Sequence, residues 1–260
     1  MKIFDTHTHY DDKAFDEDRD ALLSSLQKSN TIEAIVNVGA SIKSSKTTIS
    51  LTEKYSFIYG AIGVHPEDVT NLNEQDIKWM SDQSRLEKIV AIGEIGLDYY
   101  WDDVPRNIQK MWFDRQLELA KEVKLPVILH SRDAAKDTLD MLKAADAKNR
   151  LSGIIHCYSY SKENAKDYLN MGFYFGVGGV VTFKNAMKLK EAVAYIPIEF
   201  IVLETDCPYL APVPNRGERN SSFNLTYVAK EIATIKGISY EEVLDQTNRN
   251  AKAVYGFVKR

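Results

Sequence analysis

Short apolar, β-branched runs alternate with amphipathic helical stretches along all 260 residues. That alternation constrains the fold more than any other feature, because strands separated by helical segments read as parallel βα units. The predicted strands cover residues 2–6, 32–39 ("IEAIVNVG"), 57–64 ("FIYGAIGV"), 89–94 ("IVAIGE"), 126–130 ("PVILH"), 151–156 ("LSGIIH"), 173–178 ("FYFGVG") and 200–206 ("FIVLETD"). Helical periodicity separates them: Leu22, Leu23 and Leu26 share a face, and further helices are expected over 43–54, 134–145, 161–171 and 185–195. Pro105 suits the first position of a long helix after strand four. Ser239 with Glu242 is a capping-box signature opening a final helix, in which Val243, Thr247, Ala251 and Val254 share a face. Eight strands, each followed by a helix and uninterrupted by linker or low-complexity tract, predict a (β/α)8 TIM barrel: one domain, 1–260, with an extra C-terminal helix. A doubly wound open sheet is the alternative, since periodicity does not show closure.

Against this frame the first strand is anomalous. "FDTHTHYDD" places His7 and His9 two apart behind Asp5. In an extended segment such side chains point the same way. The chain has five histidines, His7, His9, His65, His130 and His156, each at or just beyond the C-terminal end of a predicted strand. In a barrel those ends converge on the catalytic face. One such histidine reads as a hydrogen-bonded wall residue; five in matching positions read as a site.

Carboxylates join them. Glu94 is expected to end the fourth strand, flanked by Gly93 and Gly96, which allow close backbone approach, and Asp206 ends the eighth. An acid closing an apolar run is costly to bury unless it is paired or bound to metal. Imidazoles with carboxylates suit Zn²⁺ or Mn²⁺, and added oxygen ligands or water suit Mg²⁺. The set exceeds one tetrahedral site and fits two divalent ions sharing a carboxylate, roughly 3.5–4 Å apart. Cys157 and Cys207 each follow a candidate ligand and are read as small buried hydrophobes, in no metal-ligand or disulfide spacing.

The residues and their order resemble the metal-dependent hydrolases of the amidohydrolase superfamily, and within it the TatD-type deoxyribonucleases. The matching stretches are "FDTHTH", "GVHP" (63–66), "IGEIGLDYY" (92–100), "LPVILHSRDA" (125–134), "GIIHCYS" (153–159) and "LETDCPYLAP" (203–212). They span nearly the whole chain, and the fourth and eighth stretches together are the specific ones. The resemblance implies His7, His9, Glu94 and Asp206 around one ion and Glu94, His130 and His156 around the other, with Glu94 bridging. After "PNRGERN" the family usually continues with an acidic residue and a proline, whereas this chain has Ser221 and Ser222.

The implied activity is that of a metal-dependent hydrolase, a deoxyribonuclease of the 3′–5′ exonuclease type that cleaves phosphodiester bonds with a two-metal-activated water. Asp206 is the candidate to orient that water and take its proton, and His65 to assist the leaving group or support the ligands. Arg132, Arg216 and Arg219 are the candidate phosphate contacts, since guanidinium forks match phosphate oxygens. A net charge of −4 excludes a broadly basic nucleic-acid binder but not local contacts of this kind. Tyr99, Tyr100 and Trp101 follow the bridging Glu94 segment and either stack bases or pack on the rim. DNA strand ends are the expected partner, with no membrane partner and a monomeric chain. The start "MKIFD" lacks an apolar stretch behind a basic end, so a cytoplasmic location is expected. Two other readings use the same residues: a bimetal hydrolase of a small ester, lactone or phosphoester, and a non-catalytic metal-binding interaction protein.

Overall fold

The structure is a computed structural model that describes residues 2–146 and 151–257. Eight strands occur in chain order: β1 Ile3–Thr8, β2 Ile32–Val38, β3 Ile58–Ile62, β4 Ile89–Asp98, β5 Val127–Arg132, β6 Gly153–Ile155, β7 Tyr174–Val177 and β8 Ile201–Leu203. Nine α-helices accompany them among the described residues: α1 Arg19–Lys28, α2 Ile42–Lys54, α3 Glu74–Gln83, α4 Arg106–Val123, α5 Ala135–Ala145, α6 Lys162–Asn170, α7 Met187–Tyr195, α8 Leu225–Lys236 and α9 Tyr240–Val254. The strands lie in the order β1 to β8 in one sheet. The first also meets the last, through the parallel bridge Thr8–Cys207 and the bonds His9 N–H to Cys207 O, 2.9 Å, and Asp206 N–H to His7 O, 3.0 Å. The fold is therefore a (β/α)8 barrel with an extra C-terminal helix, and the open-sheet alternative falls away.

The chain divides into two compact units, residues 1–37 with 157–260, and residues 38–156. In the first, β1 pairs with β2 and β7 with β8, all parallel. Helix α9 packs on β8 and β1, burying Val243, Leu244, Thr247, Ala251 and Val254. Asn250 Nδ2 donates to the carbonyls of Ile198 and Ile201 at 2.8 and 2.7 Å, and Tyr255 Oη donates to Thr6 O at 2.8 Å. The Ser239 hydroxyl accepts from Glu242 N–H at 3.1 Å, which is the N-cap half of the expected capping box.

In the second unit, β3, β4, β5 and β6 pair in series. Strand β4 does not stop at Glu94: it continues to Asp98 with all ten residues buried. The register explains why. Ile92 faces Val127 and Ile95 faces Leu129, so Gly93 and Glu94 together oppose one residue and form a bulge. A bulge re-aims a side chain without ending the ladder, and Ile95 and Leu97 carry the apolar alternation onward. Gly96 (φ +148°) is required here, because a Cβ would lie 1.9 Å from His130 O. Strand β5 likewise runs two residues past His130, to Arg132. Pro105 stands just before α4 as its N-cap rather than within its first turn. Among the described residues no helix is long and apolar enough to cross a membrane.

Helix α4 also fixes the chain past β3 and the end of β4. Gln109 and Gln116 are seven apart, hence on one face, and both are buried. Gln116 accepts from Val64 N–H at 2.8 Å and donates to Val64 O at 3.1 Å, tying down the segment before His65. Gln109 does the same for Asp98, 2.9 and 2.8 Å. Each amide thus serves a backbone N–H and C=O that lie outside any ladder. Gln109→Leu keeps the volume and leaves the Asp98 peptide groups without partners. It is expected to destabilise the protein by about 2–4 kcal/mol in urea denaturation, as loss of paired buried polar groups does.

Candidate functional site

In the first compact unit, three candidate ligands converge at the ends of β1 and β8. His7 lies in β1 and His9 just beyond it, and their Nε2 atoms are 3.0 Å apart. Asp206 Oδ1 is 3.8 Å from His7 Nε2 and 3.3 Å from His9 Nε2. An ion holding ligands at 2.0–2.2 Å in tetrahedral geometry separates them by about 3.3–3.6 Å. The three separations, 3.0, 3.3 and 3.8 Å, bracket that spacing, so the donor set fits a divalent cation after shifts of a few tenths of an ångström. Asp206 has left the strand, which ends at Leu203, and adopts φ +57°, a left-handed conformation that aspartate tolerates.

Asp5, two residues before His7, holds this arrangement. Its carboxylate has no exposed surface. It accepts from Thr205 N–H (3.0 Å), the Thr205 hydroxyl (2.8 Å), the Ser222 hydroxyl (2.7 Å) and His7 N–H (3.3 Å). Burial pushes its pKa up to about 7, and these four donors only partly offset that. Asp5 thereby ties β1 to the residue beside Asp206 and to the loop at 222. Ser222 adds a backbone N–H donated to Tyr10 Oη at 2.9 Å, which a proline could not supply. The departure Ser221–Ser222 is thus built into the packing behind His7. Arg19 fixes the loop after His9 through the carbonyls of Tyr10 and Asp12, 2.6 and 2.9 Å.

In the second unit, Glu94, His130 and His156 bring ligand atoms within 4.8 Å of one another. Glu94 Oε1 is 2.8 Å from His130 Nδ1 and 3.7 Å from His156 Nε2. The other side of the His130 ring meets Asp98 Oδ2 at 2.9 Å. Burial lowers the pKa of His130, but the bonds to Asp98 and Glu94 outweigh it and raise it to about 9. An ion beside Glu94 would take Nδ1 and leave Nε2–H on Asp98, the usual way a ligating imidazole is oriented. The residues present therefore fit a metal here too. His65 lies three residues past β3; its Nδ1 accepts from Glu67 N–H at 3.3 Å, which places the proton of the neutral ring on Nε2. That nitrogen stands 3.9 Å from Glu94 Oε1.

The arginines separate. Arg132, at the end of β5, lies over the Tyr100 ring at 3.7 Å and forms no ion pair among the described residues. Arg216 sits over Phe183 at 4.4 Å. Arg219 is engaged by Asp18 through two bonds of 2.7 and 2.6 Å and by Ala14 O at 2.7 Å, so its fork is already filled. Cys207 is buried as expected, whereas Cys157 is only half-buried because its backbone turns to φ +44° as the chain leaves β6.

The family model for TatD related DNase matches residues 4–256. The chain belongs to the TatD family of metal-dependent hydrolases. It is 44% identical over 253 residues to the uncharacterized metal-dependent hydrolase YabD of Bacillus subtilis, covering 97% of this chain and 98% of that one. It is 39% identical over 191 residues to YcfH of Escherichia coli, also named an uncharacterized metal-dependent hydrolase, over 72% of this chain and 70% of that one. Among solved structures, the TatD homolog YjjV of Escherichia coli superposes with a TM-score of 0.91 at 28% identity, covering 98% of each chain. A TatD family protein from Entamoeba histolytica shares the fold at a TM-score of 0.87 and 23% identity, again over 98% of each.

For this TatD-family chain, sequence reasoning missed Asp98, and it noted Asp5 beside the histidine pair without giving it a role. Asp98 was visible as the second acid in "GEIGLD", at an alternating position past Glu94. Asp5 stands two before His7 on the same strand face, and its partners Thr205 and Ser222 are far off in sequence. Asp98→Asn keeps the shape but weakens the acceptor on His130, and is expected to lower metal affinity about 10–100-fold in a direct metal titration. Ser222→Ala removes the hydroxyl from Asp5 and Tyr10, and is expected to cost about 1–3 kcal/mol in thermal or denaturant unfolding.

Proposed function

We propose that this chain is a deoxyribonuclease of the 3′–5′ exonuclease type, hydrolysing phosphodiester bonds at DNA strand ends. The observation that carries the reading lies on β5, which holds His130 and, two residues on, Arg132. A phosphodiester needs cationic groups beside the hydrolytic centre, and Arg132 is the one of the three candidate arginines at the end of a ligand-bearing strand. The family's description, TatD related DNase, agrees with that chemistry.

In this reading His7, His9 and Asp206 hold metal in one unit, and Glu94, His130 and His156 in the other. The Mg²⁺, Mn²⁺ or Zn²⁺ ions held there supply Lewis acidity and lower the pKa of water. Asp206, whose side chain is 17% exposed, orients the attacking water and takes its proton. His65, protonated on Nε2, donates a hydrogen bond toward the departing oxygen. Asp98 fixes the His130 ring, and Arg132 holds the phosphate through its planar fork. Arg219 is left out of this set, since binding phosphate would require giving up Asp18.

The test is a timed digestion of single-stranded DNA labelled at either end, with Mg²⁺, Mn²⁺ or chelator. Stepwise shortening from the 3′ end is expected in metal, absent with chelator and lost in Glu94→Ala and Asp206→Ala. Intact DNA from a metal-loaded wild type would sink the nuclease reading and direct assays to small esters and lactones.

A further inference from the structure

Past Asp98 the chain turns outward through Tyr99, Tyr100 and Trp101, and the three rings behave differently. Tyr99 is used by the fold: its hydroxyl donates to Asp137 at 2.8 Å and Arg106 lies over its ring at 4.3 Å. Tyr100 and Trp101 are 52% and 48% exposed, although burying such rings would contribute more to stability than nearly any other residue. Their ring centroids are 4.7 Å apart and the rings perpendicular. The Arg132 guanidinium is 3.7 Å from the centre of Tyr100 and 5.9 Å from that of Trp101. It shields part of Tyr100 and leaves the rest of the ring to solvent.

This cluster is anchored to ligand-bearing strands. Tyr100 N–H donates to Asp98 Oδ1 at 2.9 Å, and the other oxygen of the same carboxylate bonds His130. Arg132 follows His130 on β5 and is paired across the ladder with Asp98. An exposed cation resting on exposed rings, with no carboxylate filling its fork among the described residues, suits a planar base beside the rings and its phosphate on the cation.

We infer that Tyr100, Trp101 and Arg132 form a nucleobase subsite in which one unpaired base of the strand being cut stacks face-on against one ring and meets the other edge-on. This rests on the nuclease reading above and adds a substrate class to it. A base inside a duplex already has both faces covered, so the platform accepts a base only from a single strand or a frayed end. Sequence preference is weak, because every base presents a π face.

The experiment uses the full-length, metal-loaded protein and a short single-stranded DNA with 2-aminopurine at its 3′ terminus and phosphorothioate linkages that resist hydrolysis. Binding is expected to quench the 2-aminopurine, and Trp101→Ala or Tyr100→Ala to weaken binding roughly 5–100-fold. Trp101→Phe should retain most of the affinity. On cleavable DNA, replacing the terminal nucleotide by an abasic one should raise KM for the wild type far more than for Trp101→Ala, with kcat little changed. If the wild type digests DNA but both alanine variants bind within twofold of it and abasic ends behave like normal ones, the subsite is overturned and the nuclease reading stands. If the wild type neither binds nor digests DNA, both fall together.

Discussion

Carboxylates taken out of water are what the functional end of this chain is built around. Asp5, Glu94, Asp98 and Glu204 are all buried, the first two inside β1 and β4, Asp98 at the end of β4 and Glu204 just past β8. A buried carboxylate is tolerated only when donors replace its lost hydration. Much of the local architecture supplies such donors. Asp5 draws on Thr205, Ser222 and the His7 amide, Asp98 on His130 and the Tyr100 amide, and Glu204 on the Cys157 amide at 2.6 Å. Asp5 in particular brings the loop at 205 and the loop at 222 against β1. Within the second unit, Glu94 and Asp98 flank the His130 ring and hold its pKa up at about 9.

What could be read from the sequence were features whose cause is local. Strand alternation, helical faces and the Ser239 cap depend on neighbours within a few residues, and they were legible. The five histidines stood out because the residue type is rare in apolar runs and each closes one. Glu94 was legible as a site residue but not as the centre of a bulge. The extra residue in β4 shows only against the register of β5. Arg219 looked like a phosphate ligand because its partner, Asp18, lies 201 positions away in sequence.

The same reason hid the supporting groups. Ser222 meets Asp5 across 217 residues, and Gln116 meets Val64 across 52. Nothing in the composition of α4 distinguishes Gln109 and Gln116 from solvated polar residues except that they fall on its buried stripe. A glutamine at a core position of an amphipathic helix is a usable signal: it marks a place where the backbone of another element needs both a donor and an acceptor. Ser222 carries a different lesson. A substitution that departs from the usual residue of a family need not loosen the site, since its hydroxyl and amide are both engaged behind His7.

Asp98 divides its two oxygens between the His130 ring and the Tyr100 amide of an exposed aromatic turn. For anyone wishing to redesign what this protein grips, that carboxylate sets the seam. A grafted loop that begins after residue 100 inherits the hinge intact and can carry new side chains outward. One that begins at residue 98 would unhook His130 in the same stroke, so the turn can be exchanged freely only on the far side of that carboxylate.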